Sequence, residues 1–325
     1  MTKYPEYCAV IRTLGTAGEK FEQEIDSLLA QNHRPAKILA YIPHGYDIPQ
    51  FANSDKVEFV RTDKGMVTQR SQPFDEVTTP YILFLDDDVY LAPDSVTKLF
   101  DAIADFDADC IAPNVFPNHM MNGAEKFMSS LLGAWPHFDK EYAFRIKKSC
   151  AYKYTTVPSP VMLTESNAGT CALCKVEVPK TIHFEDERWI DAVGYPEDQA
   201  FFYKMHISGF RLLTHYESGI IHLDAGTNKI GAKKAESQIK SMRTQYLIWL
   251  RTSYQLQSGR AGRIKTCISY YNQQFLALLG DFMLGVYRRK PYYFTSRIKG
   301  YFQGRKLAKS EMFRQLKPFD AYHKQ

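Results

Sequence analysis

Three consecutive aspartates are the strongest candidates for chemistry in this sequence. Asp86, Asp87 and Asp88 follow residues 80–85 (PYILFL), an apolar run typical of a buried strand. Alternate side chains of an extended chain point the same way, so Asp86 and Asp88 can share one task. Ligands of open α/β sheets bind beyond the carboxyl ends of the strands. The pattern predicts a site where two carboxylates hold a divalent cation that bridges a diphosphate.

A second acidic pair lies further along the chain, at the start of a predicted helix. Glu197 and Asp198 open the helical pattern of residues 198–208, and Gly209 suits its C-terminal cap. His222 ends a short apolar run that is typical of a strand. Taken singly, the acidic pair is explained by the helix dipole, and the histidine by a hydrogen bond at the edge of the core. Their order behind the three aspartates favours one shared site.

The elements that must position these residues alternate between strand and helix. Strands are predicted at residues 7–14, 36–42, 57–61, 80–85, 210–213 and 218–223, with a strand pair in residues 170–178. Apolar residues recur at helical spacing between the early strands, at Phe21, Ile25, Leu28, Leu29, Val96, Leu99, Phe100 and Ile103. This alternation predicts an α/β fold in which helices flank a mostly parallel central sheet. Residues 113–165 are predicted to form a long excursion on the acceptor side.

Charge is divided unevenly along the chain. The net charge is +5, yet residues from Lys240 onward carry 8 Lys and 9 Arg against three acidic residues, a balance of +14. Residues 1–239 carry a balance of −9. We therefore predict a catalytic domain in residues 1–235 and a basic, aromatic-rich helical region in residues 236–325. The basic region suits an anionic membrane surface.

The cysteines and the start of the chain indicate a compartment. Six cysteines in 325 residues do not make a disulfide framework, and the first residues lack an apolar core of signal-peptide length. No run reaches the roughly 18 to 20 apolar residues that cross a bilayer. We expect a cytoplasmic protein that is peripheral on the inner face of the cell membrane. Cys171 and Cys174 form a single pair, which is weak support for zinc, so both are predicted to be core thiols.

Several motifs occur in an order that is specific as a set. CAVIRT at residues 8–13 and SLLAQNHRP at residues 27–35 are followed by a glycine-to-arginine stretch at residues 65–70. LFLDDD at residues 83–88, the Glu-Asp pair and the histidine complete the set. The set resembles the family-2 glycosyltransferases with the GT-A fold, of the bacterial cell-surface polysaccharide type, over about residues 6–225. CAVIRT looks like the first strand of that family, and LFLDDD matches its Asp-x-Asp motif.

The resemblance implies a GT-A fold, a hexosyltransferase-like enzyme and an inverting transfer. Asp198 would be the catalytic base that takes the proton of the acceptor hydroxyl. Asp88, with help from Asp86 and His222, would hold Mn²⁺ or Mg²⁺, and the histidine favours Mn²⁺. The expected contacts of the donor are Asp86, Asp87, Arg70, Glu197 and Asp63, and Arg12 is a further candidate contact of the phosphates.

The sequence departs from the family at the position that commonly contacts the nucleobase or ribose. Members often carry an acidic pair after the second strand, whereas residues 41–46 here read YIPHGY. Asp63 is a candidate substitute, and an ordinary turn residue is the alternative. A UDP-sugar is the expected donor, although the sequence names neither the nucleotide nor the sugar. The resemblance and the basic region favour a saccharide or lipid-linked acceptor in polysaccharide or glycolipid assembly.

Two other functions remain open from the sequence alone. A sugar-phosphate nucleotidyltransferase would share the architecture, but it usually begins with a glycine-rich loop, and residues 15–20 (GTAGEK) are sparse in glycine. A non-enzymatic RNA- or membrane-binding protein would use the basic region and would not need Asp88. The acidic residues of the first 239 positions argue against RNA, so no nucleic-acid partner is expected.

Overall fold

The computed structural model describes residues 3–115, 141–155, 158–194, 197–223 and 233–319. Its strands are β1 (Tyr7–Arg12), β2 (Lys37–Pro43), β3 (Glu58–Thr62), β4 (Tyr81–Asp86), β5 (Val89–Leu91), β6 (Cys110–Pro113), β7 (Phe144–Ile146), β8 (Tyr152–Tyr154), β9 (Val161–Thr164), β10 (Cys171–Lys175), β11 (Leu212–His215) and β12 (Ile220–His222). Its helices are α1 (Glu19–Leu29), α2 (Met66–Arg70), α3 (Ser95–Phe106), α4 (Glu177–Thr181), α5 (Trp189–Val193), α6 (Asp198–Ile207), α7 (Lys233–Trp249), α8 (Arg260–Tyr287), α9 (Tyr292–Leu307) and α10 (Glu311–Arg314).

Eight strands form the central sheet, in the order β3-β2-β1-β4-β10-β6-β11-β9. β1 pairs in parallel with both β2 and β4, β2 with β3, and β6 with β11. β10 runs antiparallel between β4 and β6, and β9 runs antiparallel to β11 at the edge. The predicted mostly parallel sheet flanked by helices is therefore confirmed. β5 pairs with β12, and β7 with β8, in two small separate sheets.

Alternate residues of each central strand belong to two different hydrophobic cores, one on each face of the sheet. Ala9 and Leu83 belong to the core under α1 and α3, whereas Val10 and Phe84 belong to the core under α5, α6 and α7. This alternation is the period of two that a strand imposes. Both faces are buried, which explains why residues 80–85 are apolar without alternation.

One predicted strand pair is wrong. Residues 170–178 were expected to form two strands, but only β10 is a strand, and α4 follows it. Pro179 lies in α4 and has no backbone N–H, so it cannot donate to a sheet ladder, while the first turn of a helix tolerates it. Of the predicted excursion at residues 113–165, residues 116–140 and 156–157 lie outside the described residues.

The C-terminal helices pack directly on the core under α6. Leu247, Trp249, Tyr270 and Phe313 belong to the same buried cluster as Phe84. The rings of Trp249 and Tyr270 stack with centroids 3.9 Å apart. Much of the region from residue 236 onward is thus built onto the sheet. In the described part of the chain, no helix has the length and apolar character needed to cross a membrane.

A buried ion pair ties this region to the segment that precedes α5. Arg251 follows α7, and its Nε and Nη2 donate to the two carboxylate oxygens of Glu187 at 2.6 and 2.7 Å. Arg251→Ala leaves that carboxylate buried without its bidentate partner, so we expect a loss of about 3–5 kcal/mol in the free energy of unfolding. Urea unfolding measures this loss, with the exposed Arg260→Ala as the control. A loss in Arg251→Ala as small as that of the control would show that the pair does not anchor the region.

Candidate active site

The three aspartates lie where the chain turns out of the sheet. β4 ends at Asp86, and a turn through Asp87 and Asp88 leads into β5. The alternation expected of an extended chain therefore stops at Asp86. All three aspartates line one cavity, so strand alternation does not set Asp86 and Asp88 apart from Asp87.

A row of polar side chains on and just after α1 fixes the strand that follows this turn. Glu24 Oε2 accepts from the N–H of Val89 at 3.4 Å, and Ser27 Oγ accepts from the N–H of Leu91 at 3.3 Å. Gln31 Nε2 donates to the Leu91 carbonyl at 3.3 Å. Burial raises the pKa of the Glu24 carboxyl well above its ordinary value. Ser27 and Gln31 are the polar residues of the SLLAQ motif. Their hydrogen bonds to the backbone of Leu91 fix the position of β5, and with it the end of the aspartate turn.

The fixed strand brings the last aspartate to the predicted histidine. β12 pairs antiparallel with β5, with His222 opposite Val89, and the Leu223 N–H donates to the Asp88 carbonyl at 2.8 Å. As a result, His222 Nε2 lies 3.0 Å from Asp88 Oδ1. Two residues that are 134 positions apart in sequence therefore form a carboxylate–imidazole pair.

Asp86 faces two arginines instead. Arg12 Nε donates to Asp86 Oδ1, and Arg12 Nη1 donates to Glu197 Oε1 at 2.9 Å. The buried Arg70 lies 3.9 Å from Asp86 and 3.6 Å from Glu197, and its Nη2 donates to the Gly169 carbonyl at 2.5 Å. Burial raises the pKa of Asp86, but the charges of Arg12 and Arg70 outweigh it and hold that pKa below its ordinary value. In this structure Asp86 and Glu197 thus anchor the arginine pair.

A cavity of about 370 Å³ opens beside the carboxyl ends of β1 and β4. Its lining comprises Arg12, Thr13, Leu14, Thr16, Lys64, Gly65, Met66, Gln69, Asp86, Asp87, Asp88 and His222. This is the edge of the sheet where ligands of α/β proteins bind. Asp87 Oδ2 accepts from the Thr13 hydroxyl at 2.5 Å, so one of its oxygens is engaged within the wall.

Asp198 lies close to Arg70 but is not among the residues that line the cavity. It is the first residue of α6, is half-buried, and accepts from the N–H of Gln199 at 2.8 Å through Oδ1. Burial and the charge of Glu197 raise its pKa to about 6, although Arg70 opposes the shift. Gly169 separates it from Arg70, and a Cβ at Gly169 would lie 2.6 Å from Arg70 Nη1 and 2.9 Å from Asp198 Cβ. Only glycine allows this close approach.

The raised pKa of Asp198 gives a stability prediction. The folded protein binds this proton more tightly than the unfolded chain, so stability falls as pH rises from about 4 to about 6 and stays lowered above that range. Asp198→Asn keeps an acceptor for Gln199 and removes the charge, so we expect it to stabilise the fold by about 1–3 kcal/mol at pH 8. The gain is expected to shrink toward pH 4. Thermal unfolding of parent and variant across this pH range measures it, and a pH-independent difference would contradict the assignment.

The residues present fit a divalent cation whose remaining ligands come from a substrate. Asp88 and His222, which meet at the cavity wall, would supply one oxygen and one nitrogen ligand. Within the described residues, no three His, Cys, Asp or Glu side chains converge as a ready metal cage. Mg²⁺ and Mn²⁺ sites commonly use one or two protein carboxylates and complete their shell with phosphate oxygens and water.

Two further acidic residues lie near the site, and neither belongs to the Glu197–Asp198 pair. Asp191 accepts from the N–H groups of Val67 and Thr68 at 2.8 and 2.9 Å, so it holds the start of α2, the helix that ends in Arg70. No local pattern in the sequence indicates this role of Asp191, because the two partners are 124 and 123 residues away. Asp63 is exposed and follows β3, one position before Lys64 of the cavity wall, and its role toward the donor stays a prediction.

The comparisons with known proteins agree with this geometry. Residues 46–161, which include the aspartate turn, match Glycosyl transferase family 2. No curated protein matches the sequence. The match and the fold support a glycosyltransferase of the GT-A type. Within that class they support a family-2 glycosyltransferase, as the motifs predicted.

Solved structures resemble the chain in fold at low sequence identity. The mannosyltransferase PcManGT from Pyrobaculum calidifontis, in complex with GDP-Man and Mn²⁺, is 12% identical, with a TM-score of 0.50 over 94% of this chain and 87% of that one. GalNAc-T7 with UDP, GalNAc and Mn²⁺ is 12% identical, with a TM-score of 0.46 over 89% and 59% of the two chains. TarS 1-349 of S. aureus is 11% identical, with a TM-score of 0.46 over 92% of each chain.

Proposed function

We propose that this protein is an inverting, divalent-metal-dependent glycosyltransferase that moves a sugar from a nucleotide-diphospho-sugar to an acceptor hydroxyl. One observation carries the proposal. The Asp88–His222 pair and Arg12 line the cavity at the edge of the sheet, and Asp198, whose pKa is raised to about 6, lies beside Gly169 and Arg70 and not among the lining residues. The arrangement separates a diphosphate-binding side from a proton-accepting side.

The donor side binds the diphosphate through charge. Asp88 and His222 would hold the cation, and Arg12 and Lys64 line the same cavity as candidate contacts of the phosphates. A bound Mn²⁺ or Mg²⁺ supplies Lewis-acid neutralisation of the charge that grows on the leaving diphosphate. The histidine favours Mn²⁺, and the similar fold of PcManGT was solved with GDP-Man and Mn²⁺, which supports this class of donor and metal.

The acceptor side removes a proton. The acceptor oxygen attacks the anomeric carbon from the face opposite the diphosphate, the bond from that carbon to the phosphate oxygen breaks, and the configuration inverts. Asp198 takes the proton of the hydroxyl, so charge and atoms balance when the nucleoside diphosphate leaves. A base with a pKa of about 6 is ionised at neutral pH and still basic enough to help.

The donor and the acceptor are proposed as chemical classes. A UDP-sugar is the first donor to test, with Asp63 as a candidate contact of the ribose or base and Asp86 and Asp87 in the wall around the diphosphate. The acceptor is a saccharide or a lipid-linked saccharide in polysaccharide or glycolipid assembly. We place the enzyme at the inner face of the cell membrane, with residues 1–235 as the catalytic domain and residues 236–325 as the membrane-facing region.

A donor screen tests the proposal. The purified chain with Mn²⁺ is incubated with a panel of UDP- and GDP-sugars, and release of the nucleoside diphosphate is measured. We expect release from at least one donor, and loss of that release with a chelator. Pyrophosphate release from a nucleoside triphosphate and a sugar phosphate would instead indicate a nucleotidyltransferase. Salt-sensitive RNA binding without turnover of any donor would indicate a nucleic-acid-binding protein.

A further inference from the structure

The longest helix of the described chain presents an apolar stripe to solvent. Along α8, Ile268, Tyr271, Phe275, Leu279, Phe282 and Val286 follow one another at spacings of three and four residues. Each of these side chains is between 41% and 65% exposed. We call these six residues the outer face. At 1.5 Å per residue the outer face is about 27 Å long. An exposed apolar surface of this size and continuity marks an interaction site.

The opposite face of α8 is committed to the protein. Tyr270, Ala277, Gly280, Asp281 and Gly285 are buried against the neighbouring elements. The outer face is therefore the only side of α8 available to a partner, and the helix must lie along that partner rather than insert end-on. Polar residues hardly interrupt it, since Asn272 is the one exposed polar side chain between Ile268 and Val286.

Both ends of the outer face carry exposed cations. Arg260, Arg263 and Lys265 lie at its start, and Arg288, Arg289 and Lys290 lie at its end. A groove of about 490 Å³ at the first end is lined by Arg260, Arg263, Ile264 and Ile268, together with Tyr254. A groove of about 300 Å³ at the second end is lined by Phe282, Val286, Arg289 and Phe294. Each groove joins apolar walls to an arginine, which suits a molecule with an acyl chain and an anionic head.

A second copy of the chain fits this surface poorly. Asp281 is the only acidic residue between Glu236 and Glu311, and its carboxylate accepts from Arg297 Nε at 2.5 Å on the buried side. Two outer faces packed together would bring like charges opposite each other at both ends, whether the helices ran parallel or antiparallel. Such juxtaposition is strongly unfavourable.

We propose that the outer face of α8 and its two basic ends dock this enzyme flat on an anionic lipid surface. The apolar side chains enter the boundary between head groups and acyl chains, while the arginines and lysines contact the lipid phosphates. This proposal rests on the membrane location in the proposed function, and it names the surface of the protein that binds the membrane.

Flotation of the full chain with vesicles tests the docking surface. Vesicles of phosphatidylcholine alone and with about 30% phosphatidylglycerol are compared at low and high salt, without donor or acceptor. We expect binding to the anionic vesicles that weakens with salt. Ile268→Ser with Phe275→Ser should lower the partition coefficient at least about tenfold, because two of the most exposed apolar side chains are removed. Phe106→Ser, an exposed aromatic outside this region, should bind as the parent does.

Two double variants that reverse charge separate the electrostatic contribution to membrane binding from the contribution of apolar insertion. Arg289→Glu with Lys290→Glu should lower binding to anionic vesicles about tenfold or more and remove most of its salt dependence. Lys148→Glu with Lys180→Glu changes the net charge equally at two other exposed sites and should change binding little. Unfolding curves confirm that each variant is folded. Turnover of a soluble donor should be unchanged in all of them, so a failure of docking is distinct from a failure of the transfer reaction.

Two results would overturn the inference. One is a parent that binds neither vesicle type, or outer-face variants that bind as the parent does. The other is a parent that elutes as a dimer in size-exclusion chromatography with light scattering, becomes monomeric in Ile268→Ser with Phe275→Ser, and does not bind vesicles. That result would make the outer face an interface between two copies.

Discussion

We expect Asp88→Ala to abolish sugar transfer, by at least about a thousandfold in turnover, while the fold stays intact. The carboxylate meets His222 at 3.0 Å on the cavity wall, and its loss removes one of the two protein ligands available to the cation. Lewis-acid stabilisation of a leaving diphosphate is worth several kcal/mol, which corresponds to about this factor. The measurement is the initial rate of nucleoside diphosphate release at saturating Mn²⁺ and donor.

Asp87→Asn is the matched control for this variant. Its side chain lines the same cavity but accepts from the Thr13 hydroxyl and does not meet the histidine. It should therefore retain far more turnover than Asp88→Ala. Equal losses in the two variants, or turnover in Asp88→Ala above about a tenth of the parental rate, would show that Asp88 is not a metal ligand.

Asp198→Asn is expected to lower turnover by about 10² to 10⁴ without weakening the donor complex. Asparagine is nearly isosteric and keeps an acceptor for the Gln199 N–H, but it cannot take a proton. The parental rate at saturating substrates should rise with pH through about 6, because the base must lose its proton before it can act. That rise should vanish in the variant. A variant with near-parental turnover and the same pH profile would move the base to another carboxylate.

The sheet and the position of the aspartates at a strand end were predictable because their signals are local. An apolar run followed by aspartates marks a strand end within a few residues, and the strands around it follow the same period. The partners of the aspartates were not local. Because the chain turns at Asp87 and Asp88, strand alternation does not set the directions of these side chains. Arg12 and Arg70 contact Asp86 instead, and both arginines belong to segments that are distant in sequence. Single-sequence patterns do not encode such pairings.

Two further features show the same division between what local sequence patterns predict and what they do not. The helical spacing of residues after 236 predicted helices, but the spacing could not say which face is buried. The structure buries Trp249 and Tyr270 in the core and leaves Phe275 exposed. Likewise, Asp191 and Gly169 carry no motif, and each is explained only by the side chain that the fold brings against it.

Calorimetric titration of a nucleoside diphosphate, with and without Mn²⁺, tests the central claim most directly. The claim is that Asp88 belongs to a metal-dependent donor site and Asp198 to a separate acceptor side. For the nucleotide of the active donor, we predict binding by the parent only when Mn²⁺ is present. Asp198→Asn should bind with the parental affinity, and Asp88→Ala should lose the metal-dependent binding. Equal affinity of Asp88→Ala and the parent, or binding that ignores Mn²⁺ in all three proteins, would contradict the account.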